Sequence, residues 1–246
     1  MADSSTDATR DPRTTSGQAL GGGIALQLSE LSRRLHADQD PSAMLHRITL
    51  AAVREVRGTD WAGISLIDRG GLTTRGATHH VVEQVDRHQY ELDEGPCVSS
   101  SRNARTVRAD DLSVDPRWPR FAAAAVPLGV HAMLSVQLFD DRHKFGALNL
   151  YSSSSHSFDE TSETVAILLA SHAAIAIASQ EDVTNLKQAL DVRDLVGQAK
   201  GILMERYHIT DPEAFDLLAA SSQNTNTRLT DVAEHLVQQR QLLLPS

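Results

Sequence analysis

The stretch Arg193-Asp-Leu-Val-Gly-Gln-Ala-Lys-Gly-Ile-Leu-Met-Glu-Arg206 holds the residues with the most chemistry to offer. Read as a helix, it places Arg193 and Lys200 seven residues apart, nearly eclipsed on one open face. Val192, Leu195, Val196, Ala199, Ile202 and Leu203 take the other side. The chain carries a formal net charge of −9, so bulk charge attracts neither nucleic acid nor a membrane. Two cations on one face would then act as a local anion site. Their competing role is as solvated charges paired with Asp194 or Glu205. Gly197 and Gly201 sit inside the same helix, and each costs about 1 kcal/mol relative to alanine. Glycine kept at that cost points to close approach by another backbone or a ligand, or to tight helix packing.

Other reactive side chains are sparse. Cys97 is the single cysteine among 246 residues, which excludes an intrachain disulfide and a cysteine-clustered zinc site. Cys97 is either a redox or attachment thiol or a small buried hydrophobe. Asp93 and Glu94 beside it would raise a thiol pKa. His79, His80, His88, His131, His143 and His156 fall in separate elements with no metal-ligand spacing, so no metal is expected. No nucleophile elbow, P-loop or glycine-rich dinucleotide motif is present, and no enzyme activity is expected.

The elements that must position these residues follow from composition and period. Length predicts one or two domains, and 41% hydrophobic with 22% charged residues predicts an ordinary soluble protein. Met1-Ala-Asp-Ser-Ser lacks the basic and apolar runs of a secretory leader. The apolar run Val165–Ala178 is broken by Ser171 and His172 and is too short to span a bilayer. A cytoplasmic location with no membrane partner is expected.

Residues 1–22 are polar and predicted to be disordered. Helical spacing begins at Ile24 with Leu28, Leu31 and Leu35, and restarts at Pro41 with Leu45, Ile48, Ala52, Val53 and Val56 inward. Strands are predicted at 61–67, 72–77, 106–108, 132–139 and 146–151, with turns at 68–71 and 140–143. Short helices are predicted at 81–90 and 118–125, and loops at 91–96 and 110–117. From about 159 to 207 the pattern is helical without a stop signal, which predicts one long helix; two antiparallel helices with a turn near Glu181-Asp182 are the alternative. A helix that long suggests a coiled-coil connector with a dimer seam. Thr210-Asp-Pro-Glu213 is a capping box that opens another helix, with Ala214, Leu217, Leu218 and Phe215 as inward candidates. Polar turn chemistry follows at 222–226. A last helix opens near Thr227 or Thr230 and buries Leu229, Val232, Ala233, Leu236 and Val237.

Ala189-Leu-Asp-Val-Arg193, Gly197-Gln-Ala-Lys-Gly-Ile-Leu-Met204, Ala214-Phe215, Ser222-Gln223, Asn226 and Leu229-Thr-Asp-Val-Ala233 together resemble the ANTAR domain. The likeness runs ungapped over the last 60 or so residues. It implies an all-α three-helix output module of a transcription antiterminator over 186–246, one that binds paired hairpin loops in nascent RNA. On that reading the RNA-binding residues are Arg193, Gln198, Lys200, Gly201, Arg206, Tyr207, Asn226 and Arg228. The cations would hold loop phosphates, Gln198 and Asn226 would reach base edges, and loop bases would stack on Tyr207 or an arginine plane. The bland roles stand beside these: Tyr207 as a cap of the bundle, Gln223 and Asn226 as turn builders, Met204 as core. Residues 186–246 carry six basic and eight acidic side chains, so recognition would rest on placed residues.

The order of elements upstream predicts an α+β domain with a mainly antiparallel sheet flanked by helices. Glu94-Gly-Pro-Cys97, Asp110-Asp-Leu112, Asp115-Pro-Arg-Trp118, the Phe139-Asp140 turn and Gly146-Ala-Leu-Asn-Leu150 resemble a GAF domain. That likeness implies a sensor over 23–180, joined to the output module through a helical connector over 159–190. It does not identify a ligand or cofactor; Gly95, Pro96 and Cys97 are the ligand-binding candidates. The expected whole is a homodimeric, sensor-controlled, RNA-binding antitermination regulator. A DNA-binding regulator is one alternative, although Arg228 and Arg240 alone are few cations for a recognition helix. A small-molecule sensor with a protein-interaction tail is the other.

Overall fold

The computed structural model describes residues 40–68, 70–102 and 105–239. The expected disordered tail at 1–22, the helix expected from Ile24, and Arg240 lie outside the described residues. The chain divides into two compact units, one ending at Ser179 and one starting at Gln180.

In the first unit, α1 (Pro41–Glu55) starts where the Asp40 carboxylate accepts from the Ser42 amide at 2.9 Å. Pro41 fits this first turn because it has no amide hydrogen to satisfy. Strands β1 (Trp61–Asp68) and β2 (Gly71–Arg75) form a hairpin. Helix α2 (His80–Leu92) and helix α3 (Pro96–Arg102) follow, then β3 (Thr106–Ala109) and α4 (Pro119–Ala125). Strands β4 (Ala132–Phe139) and β5 (Lys144–Ser152) complete a sheet of order β2-β1-β5-β4-β3, every pairing antiparallel.

One sequence expectation changes here. The loop expected at 91–96 is shorter, since α2 runs to Leu92 and α3 begins at Pro96. The polar run Ser99-Ser-Ser101 hides that helix, because its hydroxyls satisfy buried backbone oxygens: Ser100 and Ser101 both donate to the Cys97 carbonyl.

Period-two alternation gives the sheet two buried faces. Ala62 and Ile64 of β1, Leu134 and Val136 of β4, and Leu148 and Leu150 of β5 point into an apolar core with Leu45 and Ile48 of α1. Ala166, Leu169, Ala170, Ala173 and Ile177, from the start of the long helix α5 (Glu160–Tyr207), close that core. On the other face Met133 and Tyr151 pack with Val82, Val85 and Phe121. Gly146 lies at φ +149 where a Cβ would stand 1.8 Å from the Ser65 carbonyl oxygen, so only glycine lets β5 pass β1 this closely.

The second unit contains the rest of α5, then α6 (Asp211–Thr225) and α7 (Leu229–Gln239). Its core is Ala199 and Leu203 of α5, Ala214 and Leu218 of α6, and Val232, Ala233 and Leu236 of α7. Glu213 accepts from the Thr210 amide at 2.8 Å, closing the capping box read from sequence. Phe215 and Leu217 are not inward: they are 43% and 39% exposed, because the face that α6 buries is the Ala214–Leu218–Ser221 line. Val192 is likewise exposed. Residues 222–225 continue α6, and the turn is made by Asn226 in the left-handed region at φ 50.

The helix Glu160–Tyr207 is unbroken, so the antiparallel pair with a turn at Glu181-Asp182 does not form. By length and composition it is also the one helix among the described residues apolar enough to cross a membrane. Its apolar stretch is occupied otherwise, since Ala166, Leu169, Ala170, Ala173 and Ile177 are spent on the sheet.

Candidate functional site

In the second unit, the candidate residues on α5 divide between faces. Arg193, Lys200 and Tyr207 follow one another at seven-residue steps and drift only about 20° per step. Gln198 stands about 140° around the helix from Arg193, and Arg206 about 140° around the other way. They do not belong to the Arg193 line. Arg193, Gln198, Gly201, Arg206 and Tyr207 are exposed, as are Asn226 and Arg228 in the turn between α6 and α7.

Lys200 differs from the rest. Its side chain is 22% exposed, and its Nζ stands 2.7 Å from Oδ1 of Asp211 at the start of α6. The pairings weighed from sequence, with Asp194 or Glu205 on the same helix, are not made. Lys200 thus ties α5 to α6, and it reaches a phosphate only by exchanging Asp211 for it.

Gly197 and Gly201 have open space where a Cβ would be, with no atom within 4 Å. Packing within the unit therefore does not require either glycine. Of the two explanations for their cost, tight helix packing inside this bundle drops out.

In the first unit, the ligand candidates Gly95, Pro96 and Cys97 are buried. They abut a polar network between the sheet and helices α2 and α3. Cys97 donates its thiol to Ser65 Oγ at 3.1 Å, and its amide to Gln89 Oε1 at 2.9 Å. Gly95 at φ +126 has its missing Cβ position 2.4 Å from Gln89 Oε1, so glycine is what lets Gln89 lie there. Gln89 Nε2 donates to Asp86 Oδ1 at 3.0 Å, Thr74 donates to Oδ2 at 2.8 Å, and the Tyr151 hydroxyl donates to Oδ1.

An ionised Asp86 only accepts, and this fixes the direction of the chain behind it. Thr74 gives its proton to Asp86, so Tyr90 donates to Thr74 at 2.9 Å and Ser65 donates to Tyr90 at 2.6 Å. The lone pairs of Ser65 then receive Cys97 and, at 2.8 Å, Asn149 Nδ2. Burial pushes the Asp86 carboxyl up to about 6 against the pull of its donors. Burial and the nearby Asp86 push the Cys97 thiol up to about 12. Such a thiol carries almost no thiolate near neutral pH, so of its two sequence readings the structure places Cys97 with the buried, unreactive one.

The sequence reading missed Asp86, Tyr90 and Tyr151. A cavity of about 450 Å3 does exist in this unit, but on the opposite face, between the β3–β4 edge and α5. Arg105, Phe139, Asp140, Ile167, Ala174 and Ile175 help to line it. The Arg105 guanidinium lies 4.6 Å from the centre of the Phe139 ring.

An antiparallel sheet between helical layers is followed, through one long helix, by a small helical bundle. The GAF domain family model matches residues 38–178, more than half of the chain, and the ANTAR domain model matches residues 184–237. The chain belongs to the GAF domain family and carries an ANTAR domain behind it, which makes it a GAF-controlled ANTAR regulator.

No curated protein matches it. Among solved structures it is similar to the free methionine-R-sulfoxide reductase of Neisseria meningitidis in complex with its substrate, at 18% identity over 63% of this chain and 89% of that one, TM-score 0.51. It is also similar to the GAF domain of a phosphoenolpyruvate-protein phosphotransferase from Coxiella burnetii, at 17% identity over 66% of this chain and 96% of that one, TM-score 0.52. At such identities the likeness shows the fold alone.

Proposed function

We propose that this protein is an RNA-binding antitermination regulator. Its ANTAR unit binds hairpin loops of nascent transcripts under control of its GAF unit, and it acts in the cytoplasm, where such transcripts are made. The observation that carries the reading is the open face of α5. Arg193 and Tyr207 are exposed there, beside two glycines that no neighbour in the unit crowds. An arginine can grip a loop phosphate, a tyrosine ring can stack an unpaired base, and bare helix backbone lets the strand come close. The GAF unit contributes control and the reading gives the chain no catalytic step. A small molecule is the proposed input.

Binding of the full chain to a tandem-hairpin RNA, against the same sequence as duplex DNA, tests this. RNA preferred at least about tenfold, with Arg193→Ala losing about tenfold or more, is the expected result. Equal affinity for duplex DNA, or an Arg193→Ala variant that binds RNA unchanged, overturns it.

A further inference from the structure

Two arginines at the β3 edge are used differently. Arg108 is committed: its Nε stands 2.9 Å from Oδ1 of Asp110, and its Nη1 stands 3.6 Å from Oε2 of Glu163 on α5. Arg105 is exposed, and among the described residues it joins no ion pair. Its guanidinium lies against the Phe139 ring, at the wall of the cavity of about 450 Å3 described above. Stacking on Phe139 uses the flat face of the guanidinium and leaves its N–H edges open. A planar fork held against a ring is pre-organised for a carboxylate, which takes two parallel hydrogen bonds from it.

Much of the remaining wall is apolar. Ala170 and Ala174 of α5 are buried beside Val136 of β4, and their small side chains leave the space open. Ile167 and Ile175 of α5 line it too, 40% and 58% exposed. Asp140 and Asp141 also line the cavity. Asp140 already accepts from the amides of Arg142 and His143, at 2.7 and 2.5 Å. Two carboxylates nearby oppose a second negative charge on any ligand.

We infer that this cavity binds a small apolar monocarboxylate, with its carboxylate on Arg105 and its apolar body against Ile167, Ala174 and Ile175. The volume lies in the ordinary range for small-molecule sites, and a few polar groups on an apolar wall are their usual lining. The face that carries Gly95, Pro96 and Cys97 is filled instead. Phe121, Met133 and Tyr151 are fully buried there, and its hydroxyls bond to one another. Ligand contacts in the cavity fall on α5, the helix that also carries Arg193. Binding does not depend on the RNA reading above; its use as the input to RNA binding rests on that reading.

Titration calorimetry of the full chain tests the site, with 2-naphthoate and octanoate as probes. At least one should bind with a Kd below about 1 mM. The amide of the same acid lacks the charge, and the matching phosphate ester adds one; each should bind at least about tenfold more weakly. Arg105→Gln should lose about tenfold, Arg105→Lys less, because it keeps the charge without the fork. Ile175→Asp should abolish binding. Both positions are exposed, and circular dichroism checks that the variants fold. With the acid near saturation, affinity for hairpin RNA should change about fivefold or more.

No binding of either acid up to about 1 mM, an amide that binds as tightly as its acid, or an Arg105→Gln variant with wild-type affinity overturns the site. Acid binding with unchanged RNA affinity leaves the site standing and overturns its use as an input. Acid binding by a chain that binds no hairpin RNA leaves the site standing and overturns the RNA reading.

Discussion

Asp86 is held by three neutral donors inside the sensor, with desolvation the largest influence on its carboxyl. Its folded value of about 6 lies above the ordinary 3.8, so the folded chain holds this proton more tightly than the unfolded chain. Stability from this group is therefore full below about pH 4, falls as pH rises towards 6, and is flat above. Asp86→Asn keeps an acceptor for Tyr151 and Gln89 and faces its amide to the Thr74 hydroxyl, which can accept. The stability difference between wild type and variant should shift by about 3 kcal/mol across that window, measured by urea unfolding at a series of pH values. A constant difference would mean that Asp86 does not titrate there. Lys200 makes a second prediction. If it exchanges Asp211 for phosphate, Asp211→Asn removes the competitor and tightens hairpin RNA binding severalfold. If Lys200 only ties α5 to α6, the variant loses up to about 1 kcal/mol of stability and binds RNA as before.

For the helix α5, the glycines carry the prediction. Gly197→Ala and Gly201→Ala meet no atom within 4 Å, so each should stabilise the free ANTAR unit by about 0.5 to 1 kcal/mol in thermal or denaturant unfolding. If the bare backbone serves RNA, the same variants bind it more weakly; a stabilised variant with unchanged RNA affinity removes the glycines from the interface. Much of this element was legible from sequence. Missing stop signals between 159 and 207 gave one helix, and alternation over 132–139 gave β4 at its observed bounds. Polar helices and long-range pairing were not legible. Helix α3 begins at Pro96 and buries serines, against the apolar period that marks a helix. Asp86 on α2 meets Tyr151 65 residues away where the helix packs on the sheet, and Asn149 meets Ser65 84 residues away across the β1–β5 pairing; no local window contains either. Lys200 was read against carboxylates of its own helix, because the spacing rule for a single helix cannot see Asp211 on the next.

At the scale of the whole molecule, charge decides what kind of RNA binding is possible. The chain is −9 overall, and residues 186–246 carry two more acidic than basic side chains, eight against six. Long-range attraction is therefore absent, and affinity rests on the few cations that touch phosphate. Arg193, Arg206 and Arg228 are exposed, while Lys200 is engaged with Asp211. If those three arginines contact phosphates, counterion release of about 0.7 per contact on single strands gives a log–log salt slope of about −2 for one copy. Two copies bound side by side on one tandem-hairpin RNA should show about −4, and a single-hairpin RNA that takes one copy should return to about −2. Fluorescence anisotropy of a labelled tandem hairpin between roughly 50 and 300 mM salt separates these values, because a slope difference of 2 is about a 36-fold difference in affinity across a sixfold salt range. A slope steeper than about −8 would need cations outside the ANTAR unit on the RNA, and would move the interface off the face of α5 argued for above.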